Sequence, residues 1–156
     1  MTELSVRLNR TLIDTSHGVH ACPAFIGCYH EKFGTLCYSN AGHTPGLLRD
    51  SRGIVQLGST GLPLGLFSHA TAEAPTIGLE REAALLLVSR GVIECERQAR
   101  HSPEEFGLER LTQLFQAAPV SGSATLCTFI LSSVGDFTGE SPQCDDQTAL
   151  ALVRTA

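Results

Sequence analysis

"GTLCYSNAGHTPGLLRDSRGIVQL", Gly34 to Leu57, decides the fold of this chain. Three short apolar runs, "GTLCYSN", "PGLLRD" and "GIVQL", are parted by Ala41-Gly42-His43 and by Ser51-Arg52-Gly53. Glycine and small polar residues at those joints read as turns, and connections this short join antiparallel strands. Upstream, "CPAFIGCYH" (Cys22 to His30) reads as another strand, with a turn at Phe33-Gly34. Leu4, Leu8 and Leu12 recur at helical spacing before it, so residues 2 to 14 read as a helix that His17-Gly18 ends.

Downstream, Pro63 with Gly61 and Gly65 interrupts the pattern. "HATAEAPTIGL" (His69 to Leu79) offers a further strand, and "AALLLVS" (Ala83 to Ser89) reads as the most buried strand of all. Ser102-Pro103-Glu104-Glu105 supplies an N-cap, a first-turn proline and a capping-box glutamate. The helix they announce has Leu108, Leu111 and Phe115 on one face and stops at Pro119. Ser121 or Ser123 caps a second helix, with Ala124, Cys127, Leu131 and Val134 inward and Gly135 as its stop. "TALALV" (Thr148 to Val153) closes the chain as a strand. The order is helix, strand meander, two helices, strand. That predicts an α+β fold with helices packed on antiparallel sheet, in a single domain spanning residues 1–156.

The composition narrows the function. A hydrophobic content of 42% supports a real core, and the net charge of −5 comes without any basic run. Electrostatics therefore favour neither nucleic acid nor an anionic membrane surface. No apolar stretch reaches the roughly 18 residues of a membrane helix, so a soluble, cytoplasmic protein is expected. The six cysteines carry no CxxC spacing. They read as buried thiols of a reducing compartment rather than as a disulfide or zinc framework.

Six stretches in this order resemble one family: "LNRTL" (Leu8 to Leu12), "GTLCYSNAGHTPGLL" (Gly34 to Leu48), "LPLGL" (Leu62 to Leu66), "LLLVSRGVIE" (Leu85 to Glu94), "EFGLERL" (Glu105 to Leu111) and "QCDDQTALALV" (Gln143 to Val153). Together they resemble the SpoIIE/RsbU branch of the PPM metal-dependent serine/threonine phosphatases. The resemblance implies a β-sandwich flanked by helices that hydrolyses phosphoserine or phosphothreonine. It implies two Mn²⁺ or Mg²⁺ ions held by aspartates, which bind the phosphate and generate the attacking hydroxide. It also implies a phosphoprotein partner, typically an anti-sigma-factor antagonist of a partner-switching pathway.

Two departures follow from the same resemblance. The family's strand ends in Asp-Gly, the aspartate being a metal ligand, whereas this chain has Arg90-Gly91. A guanidinium donates five N–H groups, accepts nothing and stays charged, so it repels a cation instead of binding one. The family also carries a stretch before "LNRTL", with a GD motif and a D-x-x-G-H-G segment, that has no counterpart here, so its N-terminal strands are expected to be lacking. Of the usual ligands only Asp145, in the Asp145-Asp146 pair, carries over as a residual metal ligand. Arg90 is expected to stand in for a metal's charge by pairing bidentately with Asp145.

His43 reads as a turn histidine bonding its own loop, or else as a base near the site. His17, His20, His30, His69 and His101 show no ligand spacing. Ser89-Arg90-Gly91 is half of a G-x-S-x-G nucleophile elbow, with Leu87 where the first glycine belongs and no evident strand-to-helix step. No catalytic residue is singled out with assurance. The expected role is a protein-binding pseudophosphatase. The alternative is an active phosphatase whose site is completed by further sequence or a second subunit. A sandwich short of strands exposes unpaired backbone groups, which predicts a homo-oligomer or a heteromeric partner.

Overall fold

A stretch that alternates apolar and polar residues makes a half-buried strand, and the computed structural model places the strands in three sheets, of three, four and two strands. It describes residues 1–16, 20–68, 73–98, 102–119, 121–143 and 145–155. The described chain forms two compact units, Met1–Pro45 with Leu57–Glu80, and Gly46–Gln56 with Arg81–Ala156.

The first unit holds helix α1 (Thr2–Thr15) and strands β1 (Ala24–His30), β2 (Thr35–Ala41) and β5 (Thr76–Gly78), the sheet order being β1-β2-β5 with both pairings antiparallel. Leu36, Tyr38 and Asn40 alternate along β2 and are all buried, and Phe25 stacks on Tyr38 with ring centroids 5.3 Å apart. The leucine spacing located α1 correctly, yet the leucines do not line its buried side. Leu4 and Leu8 are 47% and 39% exposed, while Ser5 and Asn9 are buried. The reason lies with Asn9. Its Nδ2 donates to Phe67 O (2.9 Å) and its Oδ1 accepts from the Gly65 N–H (2.8 Å), so a polar residue fastens the 64–67 segment to the helix. Gly65 sits at φ +80°, and a Cβ there would meet His20 O at 2.4 Å. The helix stop expected at His17-Gly18 lies outside the described residues; the last helical residue is Thr15. His69, at the start of the strand expected before Leu79, lies outside them as well, and the strand itself is confined to Thr76–Gly78.

The second unit holds β3 (Gly46–Asp50), β4 (Gly53–Leu57), β6 (Ala84–Val88) and β9 (Ala149–Val153), in the order β4-β3-β6-β9, with helices α3 (Gly107–Ala117) and α4 (Ser123–Thr138). Its core joins Leu47, Leu86 and Val88 of the sheet to Leu111 and Phe115 of α3 and to Leu126, Ile130 and Val134 of α4. Each such side chain contributes about 1.5–3 kcal/mol on burial. Arg49 reaches from β3 to the end of α3. Its Nη1 donates to the carbonyls of Phe115, Gln116 (3.2 Å) and Ala118 (2.8 Å), and its guanidinium lies 4.8 Å from the Phe115 ring centre. A cation on the last carbonyls of a helix is well placed against the helix dipole.

Five local expectations are corrected here. Ser102-Pro103-Glu104-Glu105 does not open a helix. Glu104–Glu105 form a short strand β8 against β7 (Glu96–Arg97), and α3 starts at Gly107. Tertiary charge pairing overrides the local cap signal, because the Glu104 carboxylate receives Arg97 (2.6 Å) and Arg110 (2.7 Å). Neither Ser121 nor Ser123 caps α4; Gly122 holds the N-cap. Gly135 lies inside that helix, whose end is Gly139 at φ +54°. The α4 inner face is Leu126, Ile130 and Val134; of the expected Ala124, Cys127, Leu131 and Val134, Val134 is buried and Leu131 packs on the core, while Cys127 is half-buried and Ala124 exposed. Among the described cysteines only Cys95 is buried, while Cys22 and Cys28 are exposed; Cys144 lies outside the described residues. No helix among the described residues is long and apolar enough to cross a membrane.

Candidate functional site

β6 delivers Ser89, which lies in extended backbone, and the four residues Arg90–Ile93 then form a single helical turn, α2. The strand-to-helix step is therefore direct, contrary to the sequence reading. Ser89 nonetheless serves as a clasp. Its Oγ donates to Asp146 O (2.8 Å) and accepts from the Thr148 N–H (2.9 Å), and its N–H donates to Thr148 O (3.0 Å). Both hydroxyl functions are thus engaged with the 146–148 backbone, which does not leave the activated hydroxyl that a nucleophile needs.

Gly91 closes the same corner. A Cβ on it would lie 2.4 Å from Asp146 O and 3.0 Å from both the Asp145 carbonyl carbon and oxygen. The backbone of Asp145-Asp146 can approach α2 only because residue 91 has no side chain. Four of the residues singled out from sequence, Arg90, Gly91, Asp145 and Asp146, are thereby brought together.

Their charges are arranged differently from the expectation. Arg90 pairs with Glu94, not Asp145: Nε donates to Glu94 Oε1 (2.9 Å) and Nη2 to Oε2 (2.7 Å). On a helical turn, residues four apart face each other, so Glu94 is the carboxylate that Arg90 meets first. The side chains are 67% and 52% exposed. Hydrogen bonding to Glu94 raises the Arg90 pKa above its ordinary value, with smaller Coulombic support from Glu94 and then Asp145. The Arg90 hydrogen bonds in turn hold Glu94 below the usual carboxylate range. Asp145 takes part through its field and is committed locally. Its Oδ1 accepts from the Asp146 N–H (2.8 Å), and its carbonyl accepts from Gln143 Nε2 (2.9 Å). Glu94 was missed in the sequence, although its i,i+4 spacing from Arg90 was readable.

The donor set does not fit a pair of hard cations. Arg90 offers no lone pair, both oxygens of Glu94 are engaged by Arg90, and one oxygen of Asp145 is held by a backbone N–H. Among the described residues, no three His, Cys, Asp or Glu side chains gather as an ion would require.

His43 belongs to the first unit. Its N–H donates to Asn40 Oδ1 (2.9 Å), and its ring Nδ1 lies 3.0 Å from both Thr44 O and Thr44 Oγ1. The side chain of Asn40, fully buried, builds this loop: Nδ2 donates to Thr44 O (3.3 Å) and to Leu57 O (3.2 Å). Its backbone is held by Thr60, whose Oγ1 accepts the Asn40 N–H (3.0 Å) and whose N–H reaches Asn40 O (2.8 Å). His20 and His30 are exposed; His17, His69 and His101 lie outside the described residues.

Comparison with known proteins agrees with this fold. Residues 1–155 match the family model of stage II sporulation protein E (SpoIIE). Protein IcfG of Synechocystis sp. is 31% identical over 153 residues, covering 96% of this chain and 24% of its own length. The crystal structure of the RsbU and RsbW domains of Rv1364c from Mycobacterium tuberculosis superposes with a TM-score of 0.77 at 25% identity, covering 99% of this chain and 43% of that one. The Mn-presoaked phosphatase domain of SpoIIE from Bacillus subtilis gives a TM-score of 0.71 at 12% identity, covering 99% and 66%. The chain thus spans about a quarter of the curated relative that it matches and less than the whole of either solved chain. The α+β arrangement of helices and antiparallel sheets described above is the PPM-phosphatase fold of these structures, and the chain belongs to the SpoIIE family of PPM-type phosphatase domains.

Proposed function

We propose that this PPM-type domain acts in the cytoplasm as a protein-binding pseudophosphatase of a phosphoserine signalling pathway. One observation carries the reading. Arg90 stands where the family resemblance puts a metal-binding aspartate, and its guanidinium is closed onto Glu94 in a bidentate pair. A fixed cation there opposes a divalent ion by charge and by lack of a lone pair. The local balance also works against phosphate capture, since one guanidinium is paired with the Glu94 carboxylate and lies in the field of Asp145. Recognition then rests on protein surface rather than on the phosphoryl group.

The partner class is a regulatory phosphoprotein of the anti-sigma-antagonist type. The joint RsbU and RsbW domains of the Mycobacterium tuberculosis relative support it. Assembly with a second copy or another chain is supported by β1. It lies at the margin of its sheet, and Ala24–His30 contain no Lys, Arg, Asp, Glu or Pro to discourage edge pairing. Sedimentation as a clean monomer, alone and with candidate phosphoproteins, counts against this part.

The test of the central reading is a calorimetric Mn²⁺ titration of the chain, with turnover of a phosphoserine peptide followed in the same samples. No binding heat and no turnover are expected. Tight binding with Mn²⁺-dependent turnover overturns the reading in favour of an active phosphatase completed by further sequence or a second subunit. That second reading draws on the intact Gly91 corner, which still presents Asp145 and Asp146 at the surface.

A further inference from the structure

Cys28 of β1 and Cys37 of β2 stand directly opposite each other in the antiparallel register. The neighbouring bonds fix what kind of pair they make. The Tyr38 N–H donates to Pro75 O (3.0 Å) and the Leu79 N–H donates to Gly34 O (2.7 Å). Even-numbered residues from 34 to 38 therefore turn their backbone groups toward β5, and odd-numbered ones, Cys37 included, turn theirs toward β1. Cys28 and Cys37 are thus a hydrogen-bonded pair, whose Cα atoms lie about 5.5 Å apart. A disulfide spans Cα separations of about 4.4–6.8 Å. Directly opposite residues also put their side chains on one face of the sheet, with Cβ atoms about 4.5–5.5 Å apart.

Both thiols are unbridged, Cys28 exposed and Cys37 half-buried. The Cys37 Sγ donates weakly to Ala74 O (3.5 Å), a contact that one rotamer change releases. Cys95 provides the contrast. It is buried, its Sγ donates to Val92 O (3.1 Å), and burial pushes its thiol up. Among the described cysteines, only Cys28 and Cys37 face each other across a strand pairing.

We infer that Cys28 and Cys37 form a reversible dithiol–disulfide pair that a small-molecule disulfide of the glutathione class oxidises. The exposed Cys28 thiolate attacks one sulfur of that disulfide, making a mixed disulfide and expelling one small thiolate. The Cys37 thiolate then attacks the Cys28 sulfur, closing the cross-strand bond and expelling the second. The two protein thiols are oxidised to one disulfide, the small disulfide is reduced to two thiols, and the two protons pass to the released thiolates. A disulfide holds its Cβ atoms about 3.8 Å apart, so closure draws the strands together. Such a strained bond reopens readily, which gives a switch instead of a permanent staple.

The test is incubation of the intact chain with oxidised glutathione, alkylation of remaining thiols, and tryptic digestion without reductant. Lys32 lies between the two cysteines, so trypsin separates them and only a disulfide keeps their peptides joined. The joined peptides are expected in the wild-type chain and in Cys22→Ser, and absent from Cys28→Ser and Cys37→Ser. Excess reduced glutathione is expected to separate them again. Full alkylation, a stable glutathione adduct on Cys28 without closure, a link that survives Cys28→Ser, or a bond that resists reduced glutathione each overturns the inference.

Discussion

The turn that follows Asn40 and the turn that follows Ser89 both leave the end of a strand, and they are held by different means. Asn40 is completely buried and uses its amide to tie Thr44, Leu57 and His43 together. At the other turn, Ser89 and Gly91 hold the Asp145-Asp146 backbone by a hydroxyl clasp and by close approach, while Arg90 and Glu94 pair in solvent. A buried amide has no replacement for its partners, so any change there is felt by the whole loop. An exposed charge can be reversed without disturbing the backbone beneath it. The difference teaches where this fold tolerates a change of chemistry. A turn whose backbone is fastened by residues 89 and 91 leaves residue 90 open to exchange.

Substitutions at the two turns can break that contrast, and they rank by expected size. Asn40→Ala removes the amide that bridges the Thr44 and Leu57 carbonyls and the His43 N–H, and a loss of about 3 kcal/mol is expected. Chemical denaturation measures it. Gly91→Ala forces the Asp146 carbonyl away from α2, with an expected cost of about 2 kcal/mol from overpacking. Faster amide exchange at Thr148 should accompany it, because the clasp opens. Ser89→Ala removes two hydrogen bonds but no close contact, and about 1 kcal/mol is expected on the same denaturation curve.

Arg90→Ala comes last, with a denaturation midpoint at neutral pH close to that of the parent. Its small difference has a defined pH dependence. The pKa of Glu94 is depressed in the folded chain, so the pair contributes above the unfolded-state pKa of Glu94 and is lost as pH falls through the folded value. Parent and variant curves are therefore expected to converge in acid, and also in high salt. An Arg90→Ala loss as large as that of Asn40→Ala would erase the distinction between the two turns. Arg90→Asp sharpens it, because replacing the cation by a carboxylate is expected to raise Mn²⁺ binding heat without unfolding the turn.

Much of this was readable from residue order. Apolar runs set off by glycine gave β1 to β4, β6 and β9 in their order, and leucine spacing gave α1. These elements follow from local pattern, which periodicity reports directly. The β7–β8 hairpin was not readable, because a proline and two glutamates carry the local signature of a helix start. Glu104 answers instead to Arg97 and Arg110, from different elements. The inner face of α1 was hidden for a similar reason, Asn9 being buried by hydrogen bonds to Gly65 and Phe67 far along the chain. At the candidate site, the meeting of Arg90-Gly91 with Asp145-Asp146 was legible only through the family resemblance. The wrong partner was assigned to Arg90 because the single turn α2, which brings Glu94 beneath it, leaves a weak trace in four residues.

Arg49 ties the timing of folding to its geometry. The carbonyl of Ala118 that it satisfies is 69 positions further along the chain. The last turn of α3 is therefore finished by a strand residue synthesised long before it, and no local segment can complete that helix alone. Closing so long a loop has an entropic cost that must be met before the contact forms. Arg49 thus makes α3 and β3 report on each other. Loosening the hold of β3 should fray α3 from its C-terminal end, a coupling that the helix's own sequence does not contain.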